Sequence, residues 1–160
     1  MEPLPAVLLV DDDDTANFLH HRLLLRHQAA HRVEAVHSGA EALAWLTATT
    51  DQFSPTHPAL ILLDINMPDM NGYGVLAAFQ QLPPARQANA RFVIVTSSTN
   101  AQDLRRLAPL PLLGVVQKPL TAEKLSDVLA WYWQPLTRQP PFATAADGPV
   151  GGTQTSTLQS

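Results

Sequence analysis

Residues 60–72 read LILLDINMPDMNG. Four large aliphatic side chains are followed at once by a carboxylate, Asp64, and the chain then turns at Pro68 and Gly72. A short apolar run with such boundaries is typical of a strand that is buried on both faces of a parallel sheet. We therefore expect this strand to deliver Asp64 to the rim of a sheet.

Three other apolar runs have the length of buried strands, and residues 32–36 alternate weakly and have room for a further strand. The five predicted strands are residues 6–10, 32–36, 59–63, 91–96 and 114–117. Helical patterns alternate with them, at about 15–26, from Ser38, from Gly72 to Pro83, at about 102–107 and after Thr121. This alternation predicts an α/β fold, a doubly wound parallel sheet with helices on both faces.

Individual helices carry signals for their ends and their buried faces. Ser38 and Glu41 have the spacing of a capping box, and Thr121 can cap the last helix. In the first helix the predicted apolar band is formed by Phe18, Leu19, Leu23, Leu24 and Leu25. In the last helix the predicted inner face is Leu125, Val128, Leu129 and Tyr132, with Trp131 and Trp133 half exposed.

The composition predicts one soluble domain. The chain has 160 residues, 46% of them hydrophobic, and its net charge of -4 argues against a nucleic-acid partner. There is no cysteine, no signal sequence and no apolar run of membrane-spanning length, so we predict a cytoplasmic protein without membrane contact. Residues 1–134 form the predicted domain, and the proline-bearing, weakly charged residues 135–160 a disordered tail.

Polar side chains collect where the predicted strands end. They are Asp11 and Asp12 after the first strand, Asp64 after the third, Thr96 and Ser97 after the fourth, and Lys118 after the fifth. Carboxyl ends of parallel strands form the ligand crevice of an open α/β sheet. Three carboxylates there favour a hard divalent cation, Mg²⁺, while a lysine and a hydroxyl suit a phosphoryl group. A carboxylate can also be the nucleophile that forms an aspartyl phosphate.

Five motifs in this order resemble the receiver domain of two-component response regulators, and the single-domain, chemotaxis-type regulators in particular. The motifs are VLLVDDD at residues 7–13, LDINMP at 63–68, NG at 71–72, VTS at 95–97 and KP at 118–119. The resemblance covers residues 6–133. It implies the flavodoxin-like strand order 2-1-3-4-5. It also implies a stand-alone signalling domain rather than an enzyme, although such a domain promotes its own phosphorylation and dephosphorylation.

The resemblance also implies a role for each matching residue. Asp64 would accept a phosphoryl group from a histidine kinase or a histidine phosphotransfer protein. Asp12, Asp64, the backbone carbonyl of Asn66 and, partly through water, Asp11 would hold Mg²⁺. Thr96, Ser97 and Lys118 would bind the phosphoryl group, and a cis peptide would precede Pro119. Output would pass to a downstream protein partner or onward by phosphorelay.

One position departs from the family pattern. Three residues before the lysine the family usually has Phe or Tyr, whose ring moves with the threonine, whereas this chain has Val115. Thr96 and Val115 together would form the switch, and a valine offers no large rotamer change. The usual route of output is therefore altered, even where the phosphorylation chemistry is complete.

Two other functions compete with the phosphoacceptor. Asp11, Asp13 and Thr15 match the nucleophile motif of the haloacid dehalogenase superfamily of phosphohydrolases, but Asp64 precedes Thr96, which is the wrong order for that family. A receiver-like interaction module that is no longer phosphorylated is the other alternative, and Val115 is its main support. The six histidines form no metal-binding pattern and are interpreted as solvated or partly packed side chains.

Overall fold

The computed structural model describes residues 2–98, 100–134 and 143–144. The strands are β1 (Val7–Val10), β2 (Val33–Val36), β3 (Ala59–Leu63), β4 (Ala90–Thr96), β5 (Gly114–Gln117) and β6 (Ala143–Thr144). The helices are α1 (Asp14–Arg26), α2 (Gly39–Thr49), α3 (Gly72–Phe79), α4 (Pro84–Gln87), α5 (Ala101–Leu107) and α6 (Ala122–Trp133), with a 3-10 turn at Thr50–Gln52. The one-turn helix α4 is not among the predicted helices. It begins at Pro84, and a proline is tolerated in the first turn of a helix because its missing N–H has no partner there.

The strands form one parallel sheet in the order β2-β1-β3-β4-β5-β6. Its first five strands confirm the predicted fold and order. The sixth was not predicted: Ala143 and Thr144 pair with Gly114 and Val115 at the edge of the sheet. The other residues of the predicted tail, 135–142 and 145–160, lie outside the described residues, and the domain boundary at residue 134 stays a prediction.

Alternate residues of each central strand enter two separate cores. In β3, Leu60 and Leu62 pack on the side of α1 and α6, whereas Ile61 and Leu63 pack on the side of α2, α3 and α5. All five residues of β3 are buried. Helices on both faces explain why this strand is apolar without alternation.

Helix α1 buries only part of its predicted apolar band: Leu24 is buried and Leu23 is half-buried. Phe18, Leu19 and Leu25 are 62%, 52% and 55% exposed, so the predicted apolar band is wrong for these three residues. The buried side chains are Asn17, His20 and Leu24. Asn17 fixes the rotation of the helix, because its amide donates hydrogen bonds to the backbone carbonyls of Asp11 and Val36 at 2.9 and 3.2 Å.

Side-chain caps define where the helices begin. The N-cap residues are Asp13, Ser38, Asn71, Asn100 and Thr121, and each accepts a backbone N–H of its helix. The predicted capping box forms only in part: the Ser38 hydroxyl accepts the Glu41 N–H, but the Glu41 carboxylate accepts the N–H of His37. In α6 Tyr132 is buried as predicted, whereas Trp131 is also buried at 9% exposure and not half exposed.

The start of α3 packs directly against the chain around Asp64. A Cβ atom on Gly72 would lie 2.7 Å from the backbone oxygen of Asp64 and 3.0 Å from the Cα of Ile65. Gly72→Ala is therefore expected to lower the free energy of unfolding by about 1–3 kcal/mol through overpacking. Gly74→Ala is the matched control, since the close neighbour of its Cβ would be the flexible Met70 side chain at 2.9 Å, with Asn71 Oδ1 at an ordinary contact distance of 3.8 Å. Urea unfolding of both variants measures the two free energies of unfolding. If both substitutions lower the free energy of unfolding equally, the backbone around Asp64 moves to accommodate the added methyl group.

Candidate functional site at the carboxyl end of the sheet

Parallel pairing brings the predicted site residues to one edge of the sheet. Val10 is in register with Leu63, so Asp11 and Asp64 follow neighbouring strands at the same level. The Asp64 N–H donates to the Val10 carbonyl at 3.0 Å, and the Lys118 N–H donates to the Thr96 carbonyl at 2.8 Å. The backbone thus gathers Asp11, Asp64, Thr96 and Lys118 although they are far apart in the sequence.

Lys118 forms an ion pair with each of two buried carboxylates. Its Nζ lies 2.6 Å from Oδ2 of Asp11 and 3.5 Å from Oδ2 of Asp64. Asp11 is 4% exposed and Asp64 is 6% exposed, while Asp12 beside them is exposed to solvent. Oxygens of Asp11, Asp12 and Asp64 all lie within 4.8 Å of one another.

The pKa values of Asp64 and Lys118 reflect this crowding. Burial, followed by the charge of Asp11, raises the pKa of Asp64 to about 6, against the opposing effects of Lys118 and a backbone hydrogen bond at Asn66. Burial alone would lower the pKa of Lys118, but its contacts with Asp11 and Asp64 outweigh that effect and raise it. The contact with Lys118 therefore does not offset the combined effect of burial and of Asp11 on the pKa of Asp64.

The donor set fits a hard divalent cation. Three carboxylates offer oxygen ligands close together. A bound cation would also favour the ionised form of Asp64, whose pKa is raised chiefly by burial. The residue Asn66 is exposed and lies next to the cluster in the chain, and its backbone carbonyl as a ligand stays a prediction. Asp11, Asp12 and Asp64 are the residues that could hold Mg²⁺.

The two predicted hydroxyl residues differ in their surroundings. Thr96 is 1% exposed, and its Oγ1 accepts the backbone N–H of Ser98 at 3.1 Å, whereas Ser97 is exposed. Val115 is 3% exposed and belongs to the core on the α2, α3 and α5 side. The Lys118–Pro119 peptide is cis, as predicted.

Sequence reasoning missed two polar residues that support the site from α1. Asn17 holds the end of β1 at the Asp11 carbonyl, and His20 is a buried side chain whose Nε2 accepts the Leu120 N–H at 3.4 Å, two residues after Lys118. Burial lowers the pKa of His20, with Asp11 acting in the opposite direction. Asn17, His20 and Leu24 have the i, i+3, i+7 spacing of one helix face. That spacing was the signal for the buried face, and the neighbouring leucines obscured it.

In the part of the chain that the structure describes, no helix is both long and apolar enough to span a bilayer. The predicted cytoplasmic location and the predicted lack of a nucleic-acid partner stay predictions.

Comparison with known proteins agrees with this geometry. Residues 7–130 match the family model of the response regulator receiver domain. A probable chemotaxis protein CheY from Rhizobium etli is 32% identical over 124 residues, which are 77% of this chain and 88% of that protein. A two-component response regulator from Cytophaga hutchinsonii superposes with a TM-score of 0.72 at 27% identity, covering 82% of this chain and 98% of that one.

A more distant structure shares the fold. The receiver domain of the histidine kinase CKI1 from Arabidopsis thaliana, solved with Mg²⁺ and BeF₃⁻, has a TM-score of 0.67 at 21% identity and covers 80% of this chain and 89% of that one. Receiver domains bind Mg²⁺ at an acidic pocket of this kind and interact with histidine kinases or phosphotransfer proteins. On the match over residues 7–130, this chain belongs to the response regulator receiver domain family.

Proposed function

We propose that the chain is a phosphoacceptor in two-component signalling and that Asp64 receives the phosphoryl group. The observation that carries this proposal is the contact of one ammonium group with both buried carboxylates, with Lys118 Nζ 3.5 Å from Asp64 and 2.6 Å from Asp11. That arrangement leaves a carboxylate oxygen at the end of a strand, beside a fixed positive charge. Such a site suits a nucleophile that must take up a dianionic group.

The proposed transfer breaks one bond to phosphorus and forms another. An oxygen of ionised Asp64 attacks the phosphorus of a phosphohistidine, the P–N bond breaks, and its electron pair stays on the imidazole nitrogen. Lys118 neutralises charge on the phosphoryl oxygens, and the Thr96 hydroxyl and Ser97 are proposed to donate hydrogen bonds to them. Mg²⁺ held by Asp11, Asp12, Asp64 and the Asn66 carbonyl would supply the positive charge that Lys118 alone does not.

The same residues are proposed to promote phosphorylation from small donors and the later hydrolysis of the phosphate. Positioning and electrostatic stabilisation are the main contributions that a protein makes to phosphoryl transfer, and both are built into this pocket. The domain remains a signalling element rather than an enzyme acting on a separate substrate.

The proposed donor is a histidine kinase or a histidine phosphotransfer protein that binds at α1. This helix starts directly after Asp11 to Asp13 and exposes Phe18, Leu19 and Leu25. Large apolar side chains that remain in water on the helix that follows the site favour a protein partner over a small substrate. We further propose that the phosphorylated domain acts through a downstream protein partner.

The test is phosphorylation of the purified chain by acetyl phosphate with Mg²⁺. We expect a covalent phosphate that is labile to alkali and to hydroxylamine, that maps to a peptide containing Asp64, and that fails to form when EDTA replaces Mg²⁺. Phosphate on Asp11, with turnover of a generic phosphatase substrate, would instead support a phosphohydrolase. Absence of any covalent phosphate with acetyl phosphate or a kinase donor would contradict the proposal.

A further inference from the structure

The structure offers a contact route from the site threonine to the surface that does not use residue 115. Val115 is buried in the core, in register with Ile94, and its branched side chain has little rotamer freedom. A half-buried aromatic residue, Tyr73, lies at the rim of the same core, where α3 meets α5. Tyr73 thus supplies an aromatic side chain to the same core in which residue 115 is a valine.

The first link of this route is Ser98. Its backbone N–H donates to Thr96 Oγ1 at 3.1 Å, and its hydroxyl donates to Asp103 Oδ2 at 2.7 Å. The same hydroxyl oxygen accepts the N–H of Asn100, the N-cap of α5, at 3.2 Å. Ser98 thus joins the buried threonine to the first turn of α5.

The second link joins α5 to Tyr73 on α3. The Tyr73 hydroxyl donates to the backbone carbonyl of Asp103 at 3.5 Å, and the Arg106 guanidinium carbon lies 3.7 Å from the centre of the Tyr73 ring. A cation this close to an aromatic face is held by the ring quadrupole. Both contacts are made to α5, so the surroundings of Tyr73 depend on where α5 lies.

We propose that Ser98 and Asp103 carry the position of Thr96 to Tyr73, so that the α3–α5 junction reports phosphorylation of Asp64. This inference rests on the proposed function. A hydroxyl group can donate one hydrogen bond while it accepts others. When the Thr96 hydroxyl donates to a phosphoryl oxygen, its Oγ1 can still accept the hydrogen bond from the Ser98 N–H. Ser98 then moves with Thr96. Asp103 follows Ser98, and the Tyr73 contacts to Asp103 and Arg106 change.

The chain contains only two tyrosines, which makes this movement measurable. Tyr132 is an internal reference, because its hydroxyl donates to the Pro58 carbonyl at 2.7 Å, before the start of β3 and therefore at the opposite end of the sheet. With tyrosine ring carbons labelled by ¹³C, Mg²⁺ and BeF₃⁻ are added as a phosphoryl mimic, and ¹⁹F NMR shows independently whether BeF₃⁻ is bound. We expect the Tyr73 signals to shift and the Tyr132 signals to stay in place.

Variants of the link separate this route from general loosening of the fold. Ser98→Ala and Asp103→Ala are expected to bind BeF₃⁻ and to lose most of the Tyr73 shift. Asp103→Asn keeps an acceptor for the Ser98 hydroxyl and is expected to restore it. Gln102→Ala, at an exposed position of the same turn, is the control and is expected to behave as the wild type.

The possible outcomes distinguish the two proposals. If BeF₃⁻ binds and Tyr73 does not shift in the wild type, or shifts equally in Ser98→Ala, the route through Ser98 is overturned and the phosphoacceptor site stands. If the wild type does not bind BeF₃⁻ with Mg²⁺, the phosphoacceptor proposal is overturned, and the route with it. A shift that is lost in both alanine variants and restored in Asp103→Asn supports the route.

Discussion

The variant Asp64→Asn is expected to accept no phosphate from acetyl phosphate, and at the same time to be more stable than the wild type without metal. Asparagine has the shape of aspartate but lacks the ionised oxygen that attacks phosphorus, so the covalent product should disappear entirely. The second effect follows from burial. Asp64 is 6% exposed and its pKa is raised from 3.8 to about 6, so its ionised form destabilises the metal-free fold.

Ionisation of Asp64 makes the metal-free fold less stable as the pH rises. Below pH 3.8 the carboxyl is protonated in both the folded and the unfolded chain, and its raised pKa has no adverse effect. As the pH rises towards about 6 the unfolded chain releases the proton more readily, so the folded state loses relative stability. Above about pH 6 the full loss is reached, and the free energy of unfolding is lower by about 1–3 kcal/mol than it is at low pH.

Urea unfolding in EDTA at pH 4.5 and pH 7 measures this effect. The stability gained by Asp64→Asn should be larger at pH 7 than at pH 4.5, and Asp51→Asn, at an exposed position, should gain nothing at either pH. Mg²⁺ should stabilise the wild type more than the variant, because ligand binding stabilises only the state that binds. A metal-free variant that is no more stable than the wild type at pH 7 would mean that Lys118 already compensates Asp64.

Lys118→Met is expected to weaken the fold, to impair phosphorylation and to strengthen Mg²⁺ binding. Removal of the ammonium group leaves Asp11 and Asp64 buried without their shared cation, which should lower the free energy of unfolding by about 3–5 kcal/mol in EDTA. Phosphorylation by acetyl phosphate should fall by roughly 10²-fold, since a charged group aimed at the transferring phosphoryl is lost. The more negative pocket should at the same time attract a divalent cation more strongly.

Three measurements separate these effects: urea unfolding with EDTA, Mg²⁺ titration by calorimetry, and the initial rate of phosphorylation. Lys118→Arg is the matched control, because it keeps the positive charge and should retain more of the stability. If Lys118→Met has the same urea midpoint as the wild type, the two ion pairs contribute nothing to the free energy of unfolding. If it binds Mg²⁺ more weakly, Lys118 orients the carboxylates instead of competing with the metal for them.

The sheet and most of the site could be predicted from the sequence because both depend on local signals. Apolar runs such as residues 59–63 are followed by polar side chains. Parallel pairing brings the carboxyl ends of the strands to one edge of the sheet, and this does not depend on the conformation of the loops. The strand order came from resemblance to a family and not from the runs themselves. The structure brings Asp11, Asp12, Asp64 and Lys118 together. The roles of all the predicted site residues in binding metal or phosphate, those of Asn66, Thr96 and Ser97 included, stay predictions.

The features that escaped prediction depend on contacts between distant segments. The predicted buried face of α1 was wrong for Phe18, Leu19 and Leu25, because Asn17 and His20 take the buried positions through hydrogen bonds with backbone groups outside the helix. The link from Ser98 through Asp103 to Tyr73 joins a loop and two helices. No hydrophobic period encodes it, since periodicity reports which face is buried and not which side chains meet there.

The exposed side chains of α1 have a consequence for handling the protein. Phe18 and Leu25 are two turns apart on one side of the helix, and no described segment covers more than about half of either side chain. Replacing them by lysine or glutamate removes little packing, and surface changes of this kind usually alter stability by less than about 0.5 kcal/mol. Such a variant should therefore be more soluble in isolation, and the wild-type residues are better suited to an assembled state than to a free monomer.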